Sequence, residues 1–194
     1  ATMMRTSSSL SDKESDAIPN FRKVTGLSLI YRSASPDKVL TKHRRGKQAG
    51  FVQQHVGMIL DLRHARERKD QEYVQPWAKW KWKTVEYQQE ESDDEIRSMV
   101  VNKLLLRVDL LPPDRVLEWA AEQNISSAFG LLELNKCILE TGGKELCFVL
   151  RVIAIFFERH NHDKAILIHC VQGKDRYVRR MLSSFLMGLL LFLL

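Results

Sequence analysis

The sequence predicts an α/β domain in which helices flank a central, mostly parallel sheet. Short apolar runs of strand length alternate along the chain with longer segments of helical spacing, as in proteins built from strand–helix–strand units. The hydrophobic share of 44% and the charged share of 28% are close to globular averages, so a packed core can form. The 194 residues fit one domain, and no internal repeat divides them.

Four segments have the composition of strands. Leu27–Tyr31 is the first, and a turn and helix region follows it from Pro36. Val56–Leu62 and Ala165–Ile168 are continuous apolar runs, which are typical of strands covered on both faces. Trp80–Gln88 is rich in aromatic and β-branched residues, and we expect it to pair beside Val56–Leu62.

Helices are predicted in the second half of the chain. Asp114 is expected to cap one of them, after a break at Pro112 and Pro113, and Gly142–Gly143 is expected to close another. The acidic run Glu90–Glu95 is interpreted as a loop. The predicted helices are Ile96–Leu106, Arg115–Glu122, Ala128–Glu140, Lys144–Arg159 and one that begins near Arg176.

The two ends differ from the segment between them. Residues 1–19 are rich in Ser, Thr and charge, and we interpret them as a disordered lead-in to a domain of residues 20–194. Met181–Leu194 is apolar on all sides but, at 14 residues, shorter than the roughly 18–20 needed to span a bilayer. A helix of this kind is usually buried. Burial in the core is therefore favoured over contact with a membrane.

The net charge and the cysteine content limit the possible binding partners and the possible cellular compartment. The net charge of +6 predicts an anionic partner, with nucleic acid, acidic lipid and a phosphorylated substrate all open at this stage. Three cysteines form no disulfide framework in a chain of this length, which predicts a reducing compartment, the cytoplasm. Cys137 and Cys147 are interpreted as core residues. Trp77–Lys83 is interpreted as a strand with packed tryptophans and solvated lysines, in preference to a surface that stacks nucleic acid.

The segment most informative about function is Ala165–Arg176. It consists of a buried strand, His169–Cys170, five further residues that include Gly173, and Arg176 at the start of a helix. A loop from a strand into a helix N-terminus points backbone N–H groups inward and forms an anion-binding nest. Gly173 permits backbone torsions that a side chain forbids. The nest would favour the thiolate of Cys170.

Arg176 supplies the second half of the chemistry. Its planar guanidinium can hold two oxygens of a phosphate. A thiolate below a phosphate held in this way is positioned for in-line attack, which gives a phosphocysteine. A zinc site at His160, His162 and His169 is not favoured, because the first two lie in a polar turn. No metal and no other cofactor is predicted.

The sequence resembles the cysteine-dependent protein tyrosine and dual-specificity phosphatases, whose signature is His-Cys, five residues and Arg. The GKDR ending at Arg176 is similar to the microbial branch of tyrosine and phosphoinositide phosphatases. Three earlier motifs of that branch have counterparts in the same order. They are NFRKVTG at Asn20–Gly26, YRSA at Tyr31–Ala34 and LDLR at Leu60–Arg63.

The resemblance implies the fold of a tyrosine phosphatase and a role for each residue of the loop. Cys170 would be the nucleophile, Arg176 the phosphate clamp, and His169 would orient Cys170 and help to ionise it. Arg63, in the LDLR motif, and Arg66 after it are interpreted as structural ion-pair partners rather than substrate ligands. The residues whose amides would bind phosphoryl oxygens are Val171, Gln172, Gly173, Lys174, Asp175 and Arg176.

The resemblance also implies a proton donor for the leaving group. Asp175 is the first choice, and Asp93 or Asp94 is the alternative on a separate loop. Lys174 would add positive charge for a second phosphate or an acidic substrate. The expected function is hydrolysis of phosphate monoesters. Phosphotyrosine and a phosphoinositide are the leading substrates, phosphoserine and phosphothreonine are further candidates, and nucleic acid is no longer an expected partner.

Departures from the family pattern support a rival prediction. Tyr177–Val178 stands where the family has Thr-Gly, and the family's hydroxyl helps the thiolate to leave the phosphoenzyme. Only 18 residues follow Arg176, so the fold is predicted to stop about one helix after its active site. The rival is a catalytically impaired phosphatase-like protein that binds phosphorylated ligands or partners.

Overall fold

The computed structural model describes residues 17–37, 40, 46–64, 67–68, 80–87, 92–110, 113–123, 131–160 and 162–170. These residues form six strands and include five helices. The strands are β1 (Arg22–Lys23), β2 (Ile30–Ser33), β3 (Val56–Asp61), β4 (Lys83–Glu86), β5 (Leu104–Arg107) and β6 (Ala165–His169). The helices are α1 (Lys47–His55), α2 (Asp93–Met99), α3 (Pro113–Glu122), α4 (Leu131–Thr141) and α5 (Gly143–His160).

The strands form one sheet in the order β1-β2-β6-β3-β5-β4. β1 is antiparallel to β2, and every other neighbouring pair is parallel. The predicted α/β fold with a mostly parallel sheet is therefore confirmed. Because parallel strands end at the same edge, β2, β6, β3, β5 and β4 share one carboxyl edge, which is where open α/β sheets bind their ligands.

The central strands are covered on both faces. Every residue of β3 and of β6 is buried, which explains why these segments are continuous apolar runs in the sequence. On one face, Met58 and Ile166 belong to a core formed with α2, α4 and α5. On the other face, Ile59 and Leu167 belong to a smaller core formed with α1. The predicted strands Val56–Leu62 and Ala165–Ile168 are confirmed by these two central strands.

The predicted helix over residues 96–106 is wrong in its second half. α2 ends at Met99, Lys103 has a positive φ of 67°, and β5 then runs between β3 and β4 with its three leucines fully buried. A short apolar run fits a buried helix as well as a buried strand, so periodicity did not separate them. The pairing of Trp80–Gln88 was also wrong, because β4, which lies within it, pairs with β5 and not with β3.

Helices α2 and α3 start earlier than predicted, at Asp93 and Pro113. The run Glu90–Glu95, interpreted as a loop, contains the start of α2, whose first turn is acidic. Ser92 and Glu95 form a capping box, in which each side chain accepts a hydrogen bond from the other residue's backbone N–H. Helix α3 begins at Pro113, so Asp114 belongs to its first turn.

Other boundaries shift by a few residues. β2 begins three residues after the predicted start at Leu27, because the Leu27 N–H bonds to the Val24 carbonyl in a turn where Gly26 has a φ of 84°. The core begins before the predicted domain start at Asn20, since Ile18 is buried in it. The start of the helix predicted at Ala128 lies outside the described residues, as do the lead-in up to residue 16 and the tail Met181–Leu194. The predicted helix over residues 144–159 is confirmed by α5.

Two predictions about side-chain environment have mixed outcomes. Cys137 is buried as predicted, but Cys147 is exposed, because it lies on the outer side of α5. In the aromatic and basic segment before β4, Trp82 is buried while Lys81 and Lys83 are exposed. The packed-tryptophan interpretation is therefore confirmed for the described part of that segment. None of the helices in the described ranges is long and apolar enough to cross a membrane.

Gly57 is the position where the sheet tolerates a side chain least. It forms a bulge in β3, and a Cβ built on it would lie 2.8 Å from Phe156 Cζ and 2.9 Å from Lys164 Cβ. We expect Gly57→Ala to lower the free energy of unfolding by about 1–3 kcal/mol through overpacking. Gly50→Ala is the matched control: its Cβ meets nothing within 4 Å, and alanine in a helix should stabilise by about 0.5–1 kcal/mol. Urea unfolding of both variants measures the difference, and equal effects would contradict this account.

Candidate active site

Cys170 lies at the middle of the carboxyl edge of the sheet. It directly follows β6, and its side chain is partly exposed. β6 runs between β2 and β3, so His169 is level with Ser33 on one side and with Asp61 on the other. The Leu62 N–H donates a 3.0 Å hydrogen bond to the His169 carbonyl. The backbone that presents Cys170 is therefore fixed by a neighbouring strand end.

A buried ion-pair network lies beside this cysteine. Arg63 donates from Nε to Asp61 Oδ1 and from Nη2 to Asp61 Oδ2, each at 2.7 Å. Its Nη1 is 2.8 Å from Asp37 Oδ2 and donates to Ser35 Oγ at 3.0 Å. The side chains of Arg63, Asp61 and Asp37 are 2%, 1% and 6% exposed. The interpretation of Arg63 as a structural ion-pair partner is therefore confirmed, whereas Arg66 lies outside the described residues.

This network joins two strand ends across a third. Asp61 is the last residue of β3, and Ser35 and Asp37 come directly after β2. β6 separates these two strands, so the guanidinium of Arg63 connects the segments on both sides of the strand that carries Cys170. Any movement of the chain after β2 or β3 would break one of these buried hydrogen bonds, and a buried charge left without its partner is expensive.

Burial and charge act in opposite directions on Asp61 and Arg63. Burial favours the neutral form of each group, but the imidazole of His169 and the hydrogen bonds and charge of Arg63 hold the pKa of Asp61 below its usual range. In the same way, Asp61 and Asp37 raise the pKa of Arg63 despite its burial. Both groups are therefore charged over the physiological range of pH.

His169 is the exception in this environment. It is fully buried, its Nδ1 is 3.9 Å from Asp61 Oδ1, and no described side chain forms a hydrogen bond with either ring nitrogen. Burial lowers the pKa of His169, although the nearby Asp61 carboxylate works to raise it. The imidazole is consequently neutral at pH 7, so it contributes a dipole and not a charge to the surroundings of Cys170.

The structure describes only two of the predicted loop residues, Cys170 and His169. The other predicted site residues lie outside the described residues: Val171, Gln172, Gly173, Lys174, Asp175 and Arg176. The alternative proton donor Asp93 is paired with Arg151 of α5. Its carboxylate accepts a 2.9 Å hydrogen bond from Arg151 and lines a cavity beside the start of β2. Asp94 is next to it in the same exposed first turn.

Sequence reasoning missed several polar residues of this edge. The sequence assigned no role to Asp37 or Ser35. It also assigned none to His64 and Asp109, which pair at this edge with 3.4 Å between His64 Nε2 and Asp109 Oδ2. These residues share a signal, because each follows a strand of the parallel sheet within a few positions. In the described part of the chain, no three His, Cys, Asp or Glu side chains are grouped as metal ligands.

The arrangement defines an α/β domain that presents a cysteine from the end of a central parallel strand, beside a buried Arg–carboxylate network. A sequence profile of the Tyrosine phosphatase family matches residues 14–177. The chain therefore belongs to the tyrosine phosphatase family, and phosphatase activity in general follows from that membership. No match to a curated protein or to a solved structure was found.

The network predicts a large effect of removing its cation. Arg63→Met leaves two buried carboxylates without their partner, so we expect the free energy of unfolding to fall by about 3–5 kcal/mol. Arg97→Met is the matched control, because Arg97 pairs with Glu158 at 3.0 Å on the surface, where such pairs contribute little. Denaturant unfolding measures both. Similar losses for the two variants would show that the Arg63 network adds nothing beyond a surface pair.

His169 predicts a pH dependence of stability. Its folded-state pKa lies below the unfolded value of about 6.5, so the unfolded chain takes up this proton first as the pH falls. The stabilising contribution is complete above about pH 6.5 and is lost toward the folded-state pKa, at up to about 1.4 kcal/mol per pH unit. Unfolding at pH 7.5 and pH 5.5 should show a smaller decline in His169→Asn than in the wild type. His162→Asn, at an exposed histidine, should keep the wild-type decline, and an unchanged decline in His169→Asn would refute the assignment.

Proposed function

We propose that the protein hydrolyses phosphate monoesters through a phosphocysteine on Cys170, with phosphotyrosine as the leading substrate. The observation that carries this proposal is the position of Cys170 at the carboxyl end of the central strand β6, in a chain of the tyrosine phosphatase family. The sequence adds an arginine six residues later, as the family signature requires. The edge itself is the usual ligand-binding place of a parallel sheet.

The proposed reaction has two steps. The Cys170 thiolate attacks phosphorus, the bond from phosphorus to the ester oxygen breaks, and Asp175 gives a proton to the leaving oxygen. Water then attacks phosphorus, the sulfur–phosphorus bond breaks, and Asp175 takes the proton of the water. Arg176 and the amides of the loop bind the oxygens that carry the developing charge. The products are the free alcohol and inorganic phosphate.

Described residues would support these steps by holding the cysteine in place. The Leu62 amide fixes the His169 carbonyl, and the Arg63 network fixes the strand ends on both sides. A neutral imidazole behind Cys170 can orient the sulfur without storing a charge that must be neutralised in each cycle. A cysteine that is held at its reacting distance contributes to the rate because less freedom is lost on reaching the transition state.

The finer assignments follow from the resemblance in the sequence. Lys174 and the GKDR ending support the microbial branch and extend the proposed substrates to phosphoinositides and to phosphoserine or phosphothreonine. None of the three cysteines, Cys137, Cys147 and Cys170, is in a disulfide, which fits work in the cytoplasm, where thiols stay reduced.

A second candidate function is binding of phosphorylated ligands with little turnover. Tyr177 and Val178 favour it, because the family's hydroxyl after the arginine assists departure of the thiolate in the second step. The loss of one donor at a reacting centre can cost about 10²–10³ in rate. A chain that still carries out the first step is a slow enzyme that accumulates phosphocysteine, whereas a chain that cannot carry it out only binds its ligand.

The nucleophile is tested with purified full-length protein and para-nitrophenyl phosphate. We expect Cys170→Ser to abolish release of nitrophenol while binding of phosphate is retained, since the nest does not depend on the sulfur. Cys147→Ser is the matched control, because Cys147 is an exposed cysteine on α5 and should leave the activity unchanged. Activity that survives in Cys170→Ser would refute the proposal.

Tyr177 distinguishes the two candidates. If turnover is limited by the second step, the wild type shows a burst of one nitrophenol per protein followed by a slow steady state. Tyr177→Thr restores the hydroxyl and should raise kcat by up to about 10²–10³. Tyr177→Val gives a side chain of nearly the same shape as threonine but without the hydroxyl, so this variant should not raise kcat. Equal rates for these two variants would remove the hydroxyl from the explanation, and phosphate binding without any burst would favour the binding protein.

A further inference from the structure

A cavity of about 730 Å³ opens beside the start of β2. The loop before β2 forms one wall, and α2 and α5 form the others. Apolar side chains line its floor, and Leu27, Leu29, Ala154 and Phe157 among them are only half-buried in the described structure. We call this cavity the β2 groove. Exposed apolar surface of this kind commonly marks a place where another segment or molecule binds.

The charged residues of the β2 groove are paired with one another. Asp93 pairs with Arg151, and Arg97 pairs with Glu158 at 3.0 Å. Each pair brings one cation and one anion to the rim, so the pairs add no net charge there. An uncharged, apolar occupant is therefore complementary to the groove, and a phosphate ester is not.

We propose that the occupant of the β2 groove is the chain's own segment Met181–Leu194. All 14 of its residues are uncharged, and only Ser183 and Ser184 are polar. As a helix the segment would be about 21 Å long, and an apolar helix of that kind needs to be buried. The groove and the segment thus have matching chemistry. This inference does not depend on the activity of Cys170.

The connection to the segment is long enough. Residues 171–180 join Cys170 to Met181; with residues 171–176 curved around the proposed phosphate site, residues 177–180 alone reach about 13–14 Å, and the segment as a helix adds about 21 Å. Cys170 follows the end of β6, whereas the groove is beside the start of β2, the parallel neighbour of β6. β6 has five residues and is about 17 Å long, so the connection can return along it. A tethered segment also has an effective concentration in the millimolar range, which favours it over a second copy.

Photo-crosslinking tests the occupant in the full chain. Phe157→p-benzoylphenylalanine places the probe in the β2 groove, and we expect an intramolecular cross-link to a peptide from Met181–Leu194. Leu139→p-benzoylphenylalanine is the matched control, because Leu139 is an exposed apolar residue on α4 outside the groove and should give no such product. Mass spectrometry of the monomer band identifies the partner peptide. A cross-linked dimer, a lipid adduct or no cross-link at position 157 would overturn the proposal.

Variants of the segment Met181–Leu194 provide an independent test of the proposal. Phe185→Ser combined with Leu189→Ser makes the segment polar at two places, and we expect loss of the cross-link from position 157 together with a lower Tm. Ser183→Ala combined with Ser184→Ala keeps it apolar and should preserve both. A double serine variant that keeps the cross-link and the Tm would contradict the proposal.

Discussion

The guanidinium of Arg63, buried between two carboxylates, is the interaction on which the rest of this site depends. Charges taken out of water are costly unless their partners are close and well oriented, so such a group is stable in very few geometries. Here its partners come from the ends of β2 and β3 and enclose the end of β6. The three strand ends are therefore held together as one unit, and Cys170 directly follows its middle member.

The same environment gives His169 a different role from Arg63. Poor solvation strengthens the Arg63 pairs, while it lowers the pKa of His169, because among the described residues no carboxylate lies within hydrogen-bond distance of the imidazole. The fixed charges thus belong to the strand ends that flank β6, and a neutral imidazole belongs to the residue directly before Cys170 in the chain. In the proposed mechanism, positive charge for the substrate comes from the segment that follows Cys170, where the sequence supplies Lys174 and Arg176.

The sequence predicted the fold class, the two central strands and the family, because continuous apolar runs and the spacing from Cys170 to Arg176 are local patterns. It did not predict β5, since Leu104–Leu106 is too short for its period to separate strand from helix. It also gave Asp37 no role, because Asp37 meets Arg63 only through the order of strands in the sheet. Long-range pairings of this kind depend on topology, and one sequence carries no direct signal for them. The residues proposed to bind phosphate remain predictions from the sequence.

The bulge at Gly57 sets the register between β3 and β6. Ala165 is opposite Val56, yet Ile166 is opposite Met58, so β3 holds one residue more than its neighbour. If Gly57 instead paired with Ile166 in a regular register, Leu60 would be level with His169 and Asp61 level with Cys170. The bulge therefore shifts the register of β3 by one residue, so that Asp61 is level with His169 and not with Cys170. The sulfur that carries negative charge in the proposed mechanism is in this way separated from a fixed negative charge by the geometry of the sheet.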